Sequence, residues 1–316
     1  MNLLRTLSAA LLMLGVSVVL SAQDRFVFVP QWTPQAQFAG YYAALDQGFY
    51  LEEGLDVTIL HPRTSQTPDR FIREGRCDAT TMPLMQALEL TDQGGQFVNI
   101  LQTSMNTATI IISRLGRDPR EQQGARVGIW KAGHGQLARC FSVQERLDYQ
   151  WVPLATSVNL FIAGALDATV AMSYNEYYHL LQSGVTIREE NVLRFEDMVG
   201  YNIQEDGVYM TLAGYRRDPS RAERFARASR RGWEWAAEQP DEALDIVMRY
   251  VEEGNVATNR VMQKLMLAEV LRLQLDSGTA QREFRLRPDM VEQASRLLQG
   301  SGLIRRPVQY NSLIAR

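Results

Sequence analysis

The chain has 316 residues, with 33 Lys plus Arg against 36 Asp plus Glu and a formal net charge of −3. That balance offers no basic surface for nucleic acid or for an anionic membrane. The cysteines are Cys77 and Cys140 and the histidines His61, His134 and His179, too scattered for a zinc motif.

Arg5 precedes an apolar run from Leu7 to Leu20, which exits through Ser21-Ala22 into Gln23-Asp24-Arg25. A charged start, a short apolar stretch and a small-residue exit read as a signal peptide over residues 1–22, cleaved near Ser21 or Ala22. The run falls short of the roughly 20 apolar residues of a spanning helix, and no cysteine sits at the exit to take a lipid. The expected product is exported to the periplasm or its equivalent, without stable membrane insertion. The remaining chain is long for one core and natural for two lobes.

Phe26-Val27-Phe28-Val29 predicts a first buried strand, followed by Gln31-Trp32-Thr33-Pro34 and a helix carrying Phe38, Tyr41, Tyr42 and Leu45. Thr33 suits its N-cap, Pro34 its first position and Gly48 its stop. Leu55–Ile59, Asp78–Thr81, Phe97–Leu101 and Thr109–Ile112 read as further strands, with a helix opened by Pro83. A second set runs Arg126–Trp130, a helix from Gln136, Trp151–Leu154, a helix near Val158, Asp167–Met172 and a helix at Tyr174. Beyond Arg216 the pattern turns helical, over residues 221–238, 240–252, 259–275 and 288–298. Strands alternating with helices imply parallel sheets covered on both faces. In such sheets ligands bind outside the strand carboxyl ends, where helix N-termini point. Four junctions of that kind carry unusual residues: Trp32 to Gln37, Thr81 to Gln86, Trp130 to Gln136 and Ser173 to Glu176.

The stretch Gln31-Trp32-Thr33-Pro34-Gln35-Ala36-Gln37-Phe38-Ala39-Gly40-Tyr41-Tyr42-Ala43-Ala44, continued by Gly48-Phe49-Tyr50-Leu51-Glu52-Glu53-Gly54-Leu55-Asp56-Val57, resembles a known opening. It is similar to that of the thiamine-pyrimidine-synthase-like family of periplasmic substrate-binding proteins. Arg73-Glu74-Gly75-Arg76-Cys77-Asp78-Ala79, Gly124 to Trp130, Ala163 to Ala168 and Tyr174-Asn175-Glu176 extend the resemblance over most of residues 26–215. It implies an α/β, two-lobed type II periplasmic-binding-protein fold with two crossover segments and a helical C-terminal part. One lobe would hold residues 24–113 and 208–316 and the other 114–207. It also implies an exported solute-binding protein, monomeric, serving the permease and ATPase subunits of an ABC importer. Relatives bind formylated aminopyrimidines, riboflavin or sulfonates.

Within that frame Trp32 is a candidate to stack on a flat heterocycle, or else a core tryptophan under the first helix. Gln35 and Gln37 offer donors and acceptors for an edge-on contact. Pyrimidine-binding relatives carry asparagines and a histidine here, a departure that argues against a thiamine precursor. Tyr41 and Tyr42 read as core. Thr81, Met82 and Gln86 follow the third strand, with Met82 a cleft-lining candidate, and Trp130 ends the first strand of the second set. Gly133-His134-Gly135-Gln136-Leu137-Ala138 fits a dinucleotide fingerprint only formally, because Lys131-Ala132 intervene and no ribose-binding acid follows the next strand. A loop at Gly133, His134 and Gly135 whose amides meet a phosphate or carbonyl is what survives. Asn175 and Glu176 supply acceptors for an amino or amide edge, against a first-turn Glu favoured by the helix dipole. His61 reads as a surface turn and His179 as structural.

The alternatives are an enzyme of the same family and a sensory ligand-binding module. The synthase branch needs a lysine and, four residues on, a histidine; those places fall on Met82 and Gln86. Its cysteine-rich iron motif is missing too, so no catalytic residue, cofactor or metal is expected. Cys77 and Cys140 are expected as two buried thiols.

Overall fold

A computed structural model describes residues 23–62, 67–131 and 133–314. The expected leader over residues 1–22 lies outside the described residues. Among those residues no helix is long and apolar enough to cross a membrane.

Among the described residues, ten strands form two five-stranded sheets. The first collects β1 (Asp24–Val29), β2 (Leu55–Ile59), β3 (Ala79–Pro83), β4 (Phe97–Gln102) and β10 (Asp206–Thr211) in the order β2-β1-β3-β10-β4. The second collects β5 (Thr109–Ser113), β6 (Arg126–Trp130), β7 (Gln150–Leu154), β8 (Ala168–Met172) and β9 (Val192–Arg194) in the order β7-β6-β8-β5-β9. The helices between them are α1 (Ala39–Asp46), α2 (Phe49–Glu52), α3 (Pro68–Arg73), α4 (Leu84–Asp92), α5 (Gln136–Gln144), α6 (Asn159–Ile162) and α7 (Glu176–Gln182). The tail adds α8 (Leu212–Arg217), α9 (Pro219–Glu238), α10 (Pro240–Glu253), α11 (Arg260–Leu273) and α12 (Pro288–Gly300).

The sheets are mixed, where the sequence implied parallel ones. β10 runs antiparallel to β3 and β4, and β5 antiparallel to β8 and β9. The reason is topological. A strand that follows a helix of its own lobe returns toward the cleft, whereas β5 and β10 enter from the other lobe and run away from it. The expected boundaries shift accordingly: β5 belongs to the second sheet although residues 24–113 were assigned to one lobe, and Asp206 and Gly207 already belong to the first sheet although residues 114–207 were assigned to the other. The tail is not confined to the first lobe either. Val291, Ala294 and Leu298 of α12 share a core cluster with Leu84 and Leu88 of α4 and with Val127, Ile129 and Phe141 of the second lobe.

Alternation in β1 decides the two faces of the first sheet. Phe26 and Phe28 pack on Phe225 of α9, with ring centroids 4.3 and 5.1 Å apart. Val29 joins Met82, Phe97 and Tyr209 on the other face. Cys77 and Cys140 are free, buried thiols in separate clusters, and burial pushes both up, to about 12 and about 11.

Candidate functional site

The carboxyl ends of β1, β3, β6 and β8 converge where the chain passes between the lobes. After Val29 the backbone bends through Trp32 to Pro34, and a short 3-10 turn over Ala36–Phe38 leads into α1. Thr33 and Pro34 therefore do not open the helix as expected. That delay turns Gln35 and Gln37 inward, where both are buried. Gln37 Nε2 donates to Asp206 Oδ2 at 2.7 Å, Gln31 Nε2 donates to Asp206 Oδ1 at 2.9 Å, and Gln35 Nε2 donates to Gln37 Oε1 at 2.6 Å. The Asp206 carbonyl in turn accepts from the amides of Thr103 and Ser104 and from Gln102 Nε2. Asp206, the first residue of β10, is thus held at its carboxylate by the segment between β1 and α1 and at its carbonyl by the end of β4 and the first crossing.

Glu205, one residue earlier, fastens the crossings to each other. It accepts from Thr107 Oγ1 at 3.0 Å, Thr109 Oγ1 at 2.5 Å and the Ala108 amide at 2.6 Å. Burial, reinforced by the Asp206 charge, raises its carboxyl to about 7. Neither Glu205 nor Asp206 was singled out from sequence, because no motif marks them. The available signal was a pair of acids opening the short apolar strand Val208-Tyr209-Met210.

Trp32 follows β1 and Trp130 ends β6, one from each lobe, and the two meet edge to face with ring centroids 6.0 Å apart. Each is half-buried against its own lobe's core. His61 is no surface turn: Nδ1 lies 2.6 Å from the Trp32 carbonyl and Nε2 lies 2.8 Å from the Tyr42 hydroxyl. Burial lowers His61 to about 4, so the ring is neutral and donates to Trp32 from Nδ1. Thr81 is turned to backbone support, its Oγ1 accepting from the Gln31 amide at 2.8 Å. Met82 is a correction: it is 1% exposed and lies in the first lobe's core, because side chains alternate along β3.

Gln86 on α4 abuts Gly133 across the lobes, and a methyl at Gly133 would overlap its amide. Gly133 also has φ +76, a conformation other residues avoid. Gly135 is buried against Ile129. His134 is lowered by burial, opposed by the charge of Asp206, and its Nδ1 is buried without a partner among the described residues. Glu176 folds back on its own strand, accepting from the Met172 amide at 2.7 Å and from Asn175 Nδ2 at 2.9 Å. Its carboxyl rises to about 7 through burial. The acceptor role foreseen for Asn175 and Glu176 is thus partly used inside the loop. His179 is exposed on α7.

Both raised carboxyls yield a pH prediction. Their folded pKa values exceed the ordinary value, so protonation favours the fold; that stability is present below about pH 4.5 and lost as pH rises through about 7. Neutral His61 pulls the opposite way, so the comparison is between variants. Relative to wild type, Glu205→Gln should gain on the order of 1–3 kcal/mol between pH 5 and 8 in urea titrations. A pH-independent difference would show that Glu205 is ionised throughout.

Away from the floor, the lobes are joined by a charged latch. Arg272 of α11 donates to both oxygens of Glu196 at 2.7 and 2.6 Å and to both of Glu269 at 2.8 and 2.9 Å. Glu269 also accepts from Ser173 Oγ at 2.7 Å. Glu196 and Ser173 belong to the second lobe and α11 to the first. Arg272 is about half exposed, with 47% of its side chain accessible, so solvent screening limits each pair to about 0.2–1 kcal/mol. Arg272→Ala should therefore move the lobe equilibrium a few-fold toward opening, read as a larger radius of gyration in X-ray scattering at low salt. An unchanged radius would mean the latch does not bias closure.

A larger cavity of about 390 Å³, lined by Gly95, Gln96, Leu212 and Tyr215 among others, lies where β4 begins and β10 ends. That is the pole opposite the convergence of strand ends, so it is not the site. No group of three or more His, Cys, Asp or Glu among the described residues could hold a metal ion.

The family model described as NMT1/THI5 like matches residues 35–243. A formylaminopyrimidine-binding protein of Halalkalibacterium halodurans is 23% identical over 238 residues, 71% of this chain and 70% of that protein. The riboflavin-binding protein RibY of Chloroflexus aurantiacus is 24% identical over 264 residues, 79% of this chain and 73% of that one. Among solved structures, the alkanesulfonate-binding protein SsuA of Xanthomonas axonopodis pv. citri, bound to MOPS, superposes with TM-score 0.70 at 12% identity, covering 94% of this chain and 99% of that one. At that identity the likeness speaks for the two-lobed fold alone.

Proposed function

Since this chain belongs to the NMT1/THI5-like family, we propose that it is the exported solute-binding component of an ABC importer, closing on a flat, nitrogen-bearing heterocycle. The carrying observation is the Asp206 carboxylate held by Gln31 and Gln37, in a segment whose Trp32, next to Gln31, meets Trp130 of the other lobe. Asp206, each of whose oxygens keeps a lone pair beyond its glutamine contact, suits a ligand that donates hydrogen bonds, while Glu205 and Glu176 are engaged by their own neighbours. The Asp206 carboxylate disfavours an anion such as a sulfonate, which would meet like charge. Two named relatives, binders of a formylaminopyrimidine and of riboflavin, fit a heterocycle better than they fit a sulfonate. Permease and ATPase subunits are the implied partners, and export through the leader the implied route. Binding without chemistry is supported by Met82, a buried thioether where the synthase branch would need an amine.

A thermal-shift panel of riboflavin, a formylated aminopyrimidine, an alkanesulfonate and pyridoxal phosphate tests this. A cognate ligand at 100 times its dissociation constant adds about 2.7 kcal/mol, or about 4 °C for a chain of this size. One heterocycle should give that shift and the sulfonate none. A response to the sulfonate alone, or a Schiff-base absorbance with pyridoxal phosphate, would overturn the proposal.

A further inference from the structure

Beside Asp206, between the lobes, lies a void of about 20 Å³ whose walls include Thr103, Ser104, Tyr174, Asp206, Trp233 and Gln274. One oxygen-sized atom fits, since a water needs roughly 10–15 Å³ of such space. Trp233 is 1% exposed and Gln274 2%, and Trp233 Nε1 and Gln274 Nε2 have no hydrogen-bond partner among the described residues. Their chemistry is one-sided. An indole nitrogen can only donate. Gln274 cannot present its oxygen instead, because Oε1 accepts from Arg282 Nε at 3.3 Å, and exchanging the amide atoms would set two donors against each other. Tyr41, whose hydroxyl also lacks a partner in strict hydrogen-bond geometry, lies beside Thr103 and Trp233; its proton can turn so that the oxygen faces the indole, and Gln274 Nε2 is then the donor that still needs an acceptor. Buried donors left unmade carry their full desolvation cost, so these walls ask for an acceptor. Asp206 on the same wall asks for a donor, because each of its oxygens keeps a lone pair beyond its glutamine contact.

We infer that this chamber is the deep end of the ligand site and takes a carbonyl oxygen of the ligand, while an N–H beside that carbonyl reaches Asp206. The ligand class is then a heterocycle ending in an imide or lactam, as a flavin or a pyrimidinone does, rather than an aminopyrimidine edge built of nitrogen alone. This rests on the solute-binding reading above. Tyr174 comes from the second lobe and the other walls from the first lobe and its crossings, so the contacts are completed only on closure.

Two probes decide it by calorimetry: riboflavin, which carries an imide, and 4-amino-5-hydroxymethyl-2-methylpyrimidine, which has no carbonyl. Each is titrated into wild type, Trp233→Phe and Gln274→Glu, with circular dichroism reporting the fold. Wild type should favour riboflavin. Trp233→Phe should weaken riboflavin about tenfold, and Gln274→Glu, which keeps the Arg282 partner but reverses polarity at the void, should weaken it further. The pyrimidine should change less than twofold in either variant. If Trp233→Phe unfolds, Gln274→Glu carries the decision. Riboflavin binding indifferent to the variants, equal losses for both probes, or tight binding of the pyrimidine alone overturns the inference and leaves the solute-binding reading standing. If neither probe binds wild type at millimolar concentration, the heterocycle reading fails and the inference falls with it.

Discussion

Replacing Gly232 with alanine should lower the melting temperature by about 5 °C or more, or prevent folding outright, reflecting a cost of roughly 3 kcal/mol or more. Gly232 sits in α9 where that helix crosses α1. A methyl there would overlap the Gly40 carbonyl oxygen and lie 2.7 Å from Ala44 Cβ. Both obstacles belong to α1, whose residues Ala39 to Ala44 are entirely buried, so neither can swing aside as a flexible side chain would. The partner surface is equally tight: a methyl on Gly40 would come within 2.6 Å of Trp233 Cε2. The two glycines thus let the helices approach until Trp233 seals against α1, and Tyr41 meets that indole at 5.5 Å, edge on. Gly300→Ala is the matched control, because open space surrounds that position at the end of α12. It should be neutral or slightly stabilising, within about 0.5 kcal/mol. Should Gly232→Ala melt within 2 °C of wild type, the α1–α9 contact is looser than described.

The second large effect concerns affinity. Asp206→Asn should weaken ligand binding on the order of tenfold to a hundredfold, the range expected when a charged hydrogen-bond acceptor is lost. Size and shape survive the change, but the polarity does not. Gln31 and Gln37 each donate to a different oxygen of Asp206, so an amide nitrogen at either place would face another donor. Because Gln35 is tied to Gln37, the disturbance should spread along the floor. Glu176→Gln serves as the comparison. Its carboxyl is occupied by the Met172 amide and Asn175, so it should lose no more than a few-fold. Calorimetry with the ligand found in the thermal-shift panel separates the two. A larger loss at Glu176 than at Asp206 would move the anchor of the site into the second lobe.

Much of the fold was legible locally. β1, β2 and β6 show apolar runs or alternation that only a strand satisfies, and α9 to α12 repeat apolar residues at helical spacing with Pro at the first turn of α9, α10 and α12. What misled was chemistry without direction. Thr33-Pro34 looks like a cap and first turn, yet the helix waits until Ala39 because the intervening residues bend to bring Gln35 and Gln37 onto Asp206. β10 was unread because its short apolar stretch follows a crossing segment rather than a helix of its own lobe.

By itself the sequence determined that this is an α/β chain of alternating strands and helices with a helical tail, and that Trp32, the glutamines after it and Trp130 lie at strand ends. Those features come from periodicity and caps, which act over a few residues. Only the tertiary structure decided which of them meet. Gln31 and Gln37 lie 175 and 169 residues from Asp206, Trp233 reaches the same wall from α9, and Arg272 finds Glu196 across the lobes. Such contacts depend on how two lobes are joined by two crossings. A long-range pairing of side chains leaves no local pattern, because the desolvation that selects each partner exists only once the surrounding core has formed.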